Sequence, residues 1–233
     1  FPETSRSGDP AMTQLFDTNV TIDQYTKAFT ETVYMVSISL LIGALLGIPL
    51  AIILVVTRPG GLKPNKWVYS ILNVVVNIIR SVPFIILMVA IVPLTRLISG
   101  TSIGTTAALV PLTIFIAPYI SRLIEASLLE VRSGILEAAD SMGATMWQTI
   151  RIFLLPEAKS SIILALTTAT IGLIGATAMA GTIGGGGVGD LAVSYGYQQF
   201  DTPAIVITVL ILVVVVQGIQ SLGNFLAHRT RVA

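Results

Sequence analysis

Cysteine is absent from this 233-residue sequence, and charge is scarce: 11% of residues are Asp, Glu, Lys or Arg against 54% hydrophobic. The first absence excludes disulfide frameworks and thiolate metal sites, and it leaves the redox compartment unread. The second excludes a soluble domain of this length, which needs polar surface to stay in solution. Histidine occurs once, at His228, with no acidic or histidine neighbour in sequence, so it reads as a surface side chain and no metal site is expected. No G-x-x-x-x-G-K-[ST] stretch is present, so nothing here cradles a triphosphate in the P-loop manner. Basic patches with interleaved aromatics are missing too, and nucleic acid is not an expected partner.

What is present is long apolar runs. Glu31 and Arg58 bracket 26 uncharged residues (58 − 31 − 1), more than a bilayer core of ~30 Å requires at ~1.5 Å per helical residue. Leu97 to Ser121, Ser160 to Gly189 and Thr202 to Ala227 read as further spans, with Thr202 as helix cap and Pro203 at the first helical position of the last. Arg80 splits a remaining run into two halves, neither able to cross alone. The expectation is one shared crossing kinked at Pro83. Arg80 is then either a snorkelling interfacial charge or a pathway charge, and the interfacial reading is favoured. The fold class is thus all-α and membrane-spanning, with five helices.

Positive charge sets the orientation. Arg58, Lys63 and Lys66 follow the first span, Arg122, Arg132, Arg151 and Lys159 flank the segment between the third and fourth, and Arg229 and Arg231 end the chain. Lys27 and Arg96 alone fall on the other side, Arg80 being left uncounted. The N-terminus is expected outside and the C-terminus inside.

Between the third and fourth spans lies "EAADSMGATMWQTIRIFLLP", residues 137–156. Ile135, Ala138, Ala139 and Met142 share one face at helical spacing, with Glu137, Asp140 and Ser141 opposite, and Ser133 is placed to cap. Gly143 allows a break. Thr145 and Gln148 form a capping-box pattern for a second helix whose bulky side carries Met146, Trp147, Ile150, Phe153 and Leu154, and Pro156 is expected to end it. Two short helices at an angle result, with small alanines on one and anchoring area on the other. An interfacial helix lying in the headgroups has the same spacing.

The pattern Glu137-Ala138-Ala139, Gly143, then Phe153-Leu154-Leu155-Pro156 resembles the EAA loop of ABC-importer permeases, with Phe153 where that pattern has isoleucine. "TRPGG", "NIIRSVPFIILMVAIVPLTRLISGTSIG", "EVRSGILEAADSMGAT" and "GTIGGGGVGDLAVSYGY" extend the likeness over most of the chain from about residue 30, and together resemble the permease subunits of methionine ABC importers. That resemblance implies a homodimer of five-span permeases in a bacterial inner membrane. It also implies two cytoplasmic ABC ATPase subunits docked on the EAA loops, and an external methionine-binding protein. ATP and magnesium would sit on the ATPase, and this chain would bind no cofactor and be no enzyme itself. The substrate implied is methionine, L- and D-, with another small amino acid as the alternative. Residues 1–11 then read as a remnant foreign to the fold with a native start at Met12, residues 12–28 as an external segment, and 29–233 as the permease domain with its coupling segment at 131–156. Within that segment Glu137, Ala138, Ala139, Gly143, Trp147, Leu155 and Pro156 are the expected ATPase-coupling residues.

Elsewhere, Gly172, Ala176, Ala180 and Gly184 recur every four residues and, with Gly43 and Gly47, read as helix-packing stripes facing other helices within lipid. Met179 is similar by position to a gate residue of methionine permeases. "GVGD", residues 187–190, also resembles the signature of intramembrane aspartyl proteases, but that chemistry needs a second nearby carboxylate, and Asp140 falls on the opposite side. An ion-coupled secondary carrier would need buried acids, and the apolar stretches of spans 1, 3, 4 and 5 contain none.

Overall fold

The computed structural model describes residues 18–231. The expectations for residues 1–11 and Met12 lie outside the described residues. The chain is helical, without strands among the described residues, and four helices are long and apolar enough to cross a membrane, or five counting one broken pair.

Helix α1 spans Ile22–Thr57 and starts well before Glu31, because Thr21 and Gln24 form a reciprocal capping box. Its 36 residues make a rod of ~54 Å against a core of ~30 Å, so the first turns stand outside the bilayer. Helix α2, Lys66–Ser81, is capped by the Asn65 side chain, which accepts from Val68 N–H. Helix α3, Phe84–Ala90, follows at 103° to α2. The expected kinked crossing is therefore a broken helix: Val82, forced extended by the proline after it, and Pro83, also extended, interrupt the rod completely.

Helix α4, Val92–Ser99, closes at Gly100, and helix α5, Thr105–Leu129, begins after Gly104, both glycines having positive φ. The third span thus starts eight residues after Leu97 (105 − 97) and runs to Leu129, since a left-handed turn divides an apolar run that looks continuous in sequence. One acid falls inside the lengthened helix. Glu125 is buried there, in the part of the helix that runs on beyond the expected span end at Ser121.

Helix α5 is the hub. Leu112, Ile116, Ile120 and Ile124 form a fully buried ridge at i+4 spacing, continued by Leu128. The ridge seats on α1 at Gly43, against Ile116, and at Gly47, where an added methyl would meet the Ala117 carbonyl oxygen at 2.6 Å. In lipid apolar burial drives little association between helices, so this backbone-close fit is what holds α1 and α5 together.

Helix α6, Ser133–Ser141, leads into a helical stretch of residues 146–157, here α7, built from Met146–Gln148, a π-helical turn Thr149–Leu154 and Leu155–Glu157. Helix α8, Lys159–Gly181, is the fourth span and ends eight residues before Gly189, because Gly184 takes a left-handed φ of 82° and the chain turns back. Helix α9, Gly187–Leu191, packs Gly189 on the backbone of Ala178, and a π turn at Ala192–Tyr197 follows. Helix α10, Thr202–Arg231, completes the chain. Asp201 caps it, accepting from Ala204 N–H at 2.9 Å, so Thr202 is the first helical residue and not the cap. The Thr202 N–H bonds to Phe200 O and Pro203 has none, so the Ala204 N–H is the free amide of the first three helical residues, and the carboxylate takes it.

Candidate functional site

Two ends of this bundle are chemically different. One gathers the start of α1, the start of α5 and the stretch from Gly181 to Ala204. Asp201 there accepts from Thr18 Oγ1 at 2.9 Å and Asn19 N–H at 2.8 Å. Burial alone would raise its carboxyl, but the hydrogen bonds from Ala204, Asn19 and Thr18 outweigh that and hold it below the usual carboxylate range. Glu31 accepts from Gly187 N–H at 2.8 Å, Thr32 Oγ1 accepts from Val188 N–H at 2.9 Å, and Gln24 donates to Tyr195 Oη at 2.7 Å. The glycine run is thus a packed turn, not a free loop.

The other end carries residues 131–156. Ser133 is already helical, and Arg132 occupies the cap position with no side-chain bond, so the expected serine cap is not made. Helix α6 turns Ala139 wholly inward and half-buries Ile135 and Leu136, while Glu137, Ala138 and Met142 face out. The expected single apolar face is therefore split between the subunit's interior and its surface. Gly143, at φ 71°, makes the left-handed turn between α6 and α7, with its N–H on Asp140 O at 2.9 Å and Ala144 N–H on Ala139 O at 3.0 Å. The Thr145–Gln148 capping box then starts α7.

Residues of α7 divide the same way. Ile150 and Leu154 are buried, whereas Trp147 is 64% exposed beside the exposed Met146. Pro156 does not end the segment. Leu155 is helical, and the preceding π turn, whose wide bonding skips a carbonyl, accommodates the ring within the helical path. Leu155 is half-buried and Pro156 exposed. Behind α6 a cavity of about 260 Å³ is lined by Arg58, Leu128, Leu136, Glu137, Asp140 and Leu154. What the arrangement offers is an exposed ridge running from Glu137 through Gly143 to Trp147, joined along the chain to α5 on one side and α8 on the other.

Of the remaining positions, Gly43 and Gly47 lie in the α1–α5 contact, Ala176 and Ala180 are buried, and Gly172 faces the Tyr119 ring from an exposed site. Gly184 is not on that stripe, because its left-handed φ puts it in the turn after α8. Met179 projects from the last turn of α8, 49% exposed in the single chain. Arg80 is exposed in the last turn of α2, just before the break.

Sequence reasoning missed a cluster between α2 and α5. Arg122 donates from Nη1 to Glu125 Oε2 at 2.6 Å and from Nη2 to Asn77 Oδ1 at 2.8 Å and to Asn73 Oδ1. In the sequence Arg122 reads only as a flanking positive charge. The acid three residues on, with two amides one turn apart on another apolar helix, is the signal that could have found it.

Residues 43–232 match the family described as binding-protein-dependent transport system inner membrane component. Vibrio cholerae has a probable D-methionine transport system permease protein MetI that is 52% identical over 207 residues, 89% of this chain and 92% of that protein. The Escherichia coli K12 D-methionine transport system permease protein MetI is 47% identical over 151 residues, 65% of this chain and 70% of that protein. A solved inward-facing form of the MetNI methionine ABC transporter superposes with a TM-score of 0.87 at 38% identity, over 96% of this chain and 99% of that one. An amino acid ABC transporter at 20% identity and a TM-score of 0.74, over 89% of this chain and 94% of that one, shares the fold.

Proposed function

The chain belongs to the binding-protein-dependent transport system inner membrane component family, and from that membership we propose that it is the permease subunit of an ATP-driven methionine importer. Two copies form the pathway for L- and D-methionine across a bacterial inner membrane. Two ABC ATPase subunits dock on the inner side, and a methionine-binding protein delivers substrate outside. ATP and magnesium belong to the ATPase. The clasped end, with the N-terminus, faces outward, and the ridge at Glu137–Trp147 faces the cytoplasm, in keeping with the positive charge around it.

The observation that carries this reading is that ridge. Large apolar side chains at Trp147 and Met146 stand exposed beside a glycine turn, on short helices linked to the bundle by residues 130–132 on one side and 158 on the other. Glu137, Ala138, Gly143, Trp147 and Pro156 form the surface, while Ala139 and Leu155 hold its shape from beneath. Closure of the ATPase pair moves the ridge as a unit, and α5 and α8 carry the motion inward. Met179 is the gate: Met179→Ala is expected to raise leak or uncoupled ATP hydrolysis, and an unchanged variant makes it ordinary packing. An ion-coupled carrier has little support, since Glu125 is already neutralised by Arg122.

The test is uptake of labelled L-methionine into proteoliposomes holding this chain, its ATPase and the binding protein, with and without internal ATP. Uptake that requires ATP and is competed by excess methionine is the expected result. ATP hydrolysis with methionine left outside would cost the substrate, and an ATPase that does not bind would cost the whole reading.

A further inference from the structure

Helix α2 is held thinly by its own subunit. Val76 is its one fully buried residue, and Ile71, Val74, Val75 and Ile78 all face outward. Among the described residues, the side-chain hydrogen bonds that leave α2 are those from Arg122 to Asn73 and Asn77. Arg122 itself is fixed by Glu125, and the two side chains are 18% and 7% exposed. A buried ion pair gives little net stability against a well-packed apolar pair, because desolvation offsets attraction. It does fix direction: the planar guanidinium presents several donors at set angles, which a lysine ammonium does not.

The place of this clasp on α5 matters. Arg122 lies two turns above Leu129, and three residues (130–132) separate Leu129 from α6. On the far side of the break, α3 meets α5 differently, through an edge-on contact of Phe84 with Phe115 at 5.2 Å between ring centres. Helix α5 therefore grips both halves of the broken helix, one by an apolar contact that tolerates sliding and one by two directional bonds.

We propose that Arg122 is a positioning residue for coupling: through Asn73 and Asn77 it makes α2 follow the displacement of α5 that starts at the coupling segment. This rests on the importer reading above. When α5 shifts, the Phe84–Phe115 contact slips while the arginine clasp holds, so the angle at Val82–Pro83 changes. Substrate is not the ligand of this arginine, since its terminal nitrogens are engaged by the chain's own acceptors.

The experiment measures ATP hydrolysed per methionine imported by the reconstituted complex of this chain, ATPase and binding protein. The double variant Asn73→Leu/Asn77→Leu leaves the Arg122–Glu125 pair intact, and Arg122→Lys keeps the charge while losing the fork. Both are expected to assemble and to raise the ratio by about fivefold or more, the low end of a typical coupling free energy between sites. An unchanged ratio in both overturns the proposal, as does a parallel fall of uptake and hydrolysis or a loss of assembly in both, each of which marks a static brace. Failure of the wild-type complex to couple uptake to ATP would instead defeat the importer reading.

Discussion

The two ends of this bundle are built on opposite principles. At the clasped end polar side chains reach across the whole sequence: Asp201 binds Thr18 and Asn19, and Glu31 and Thr32 hold the amides of Gly187 and Val188. At the ridge, the side-chain bonds of Ser141, Thr145, Gln148 and Thr149 go no further than four residues, and the large apolar groups point outward. The first end spends its polar groups on fixing the chain to itself. The second fixes only its own local shape and leaves its surface open, which suits the transmitting role proposed for it.

The contrast breaks most sharply at Gly143. Gly143→Pro demands φ near −65° where the chain has +71° and removes the N–H bound to Asp140. A local cost of about 3 kcal/mol or more is expected, roughly a hundredfold less docked ATPase at fixed concentration. Pull-down of the ATPase checks this, and thermal unfolding of the permease alone should barely move. Gly187→Ala should do the reverse. Its φ is +83°, and a Cβ would come within 2.7 Å of Thr32 Oγ1 and 2.9 Å of Met35 Cε. The expected loss is about 1–3 kcal/mol of fold stability, read as a lower unfolding temperature in detergent with ATPase docking retained.

The smallest effect sharpens the clasp. Because Asp201 is held below the ordinary carboxylate range, its ionised form adds stability above about pH 4, and that addition drains away as pH falls through the lower folded value. Asp201→Asn should cost about 1 kcal/mol at neutral pH and flatten this acid limb. A scan of unfolding temperature against pH checks it, and parallel curves for the two proteins would assign the acid sensitivity elsewhere.

Span existence was legible because apolar length is a strong signal, but span ends were not. Thr21 and Gln24 spell a helix start that lies outside the uncharged run, and the run through Leu97 conceals a turn at Gly100–Gly104. In the ridge, the Thr145–Gln148 box and the turn at Gly143 were readable from local chemistry. Which way Ala138 and Ala139 point was not, since one step on a helix rotates a side chain by about 100° and the surrounding helices choose the face. Arg122 was missed because its amide partners lie 49 and 45 residues away, beyond any spacing rule.

The bond between Thr18 and Asp201 spans 183 positions of sequence. A ribosome releases the first span into the membrane long before residue 201 exists, so α1 waits there with this tie open while nearly every other helix is made. Closure of the clasp is therefore a late event in biosynthesis, and a chain truncated before Asp201 has no means of completing it.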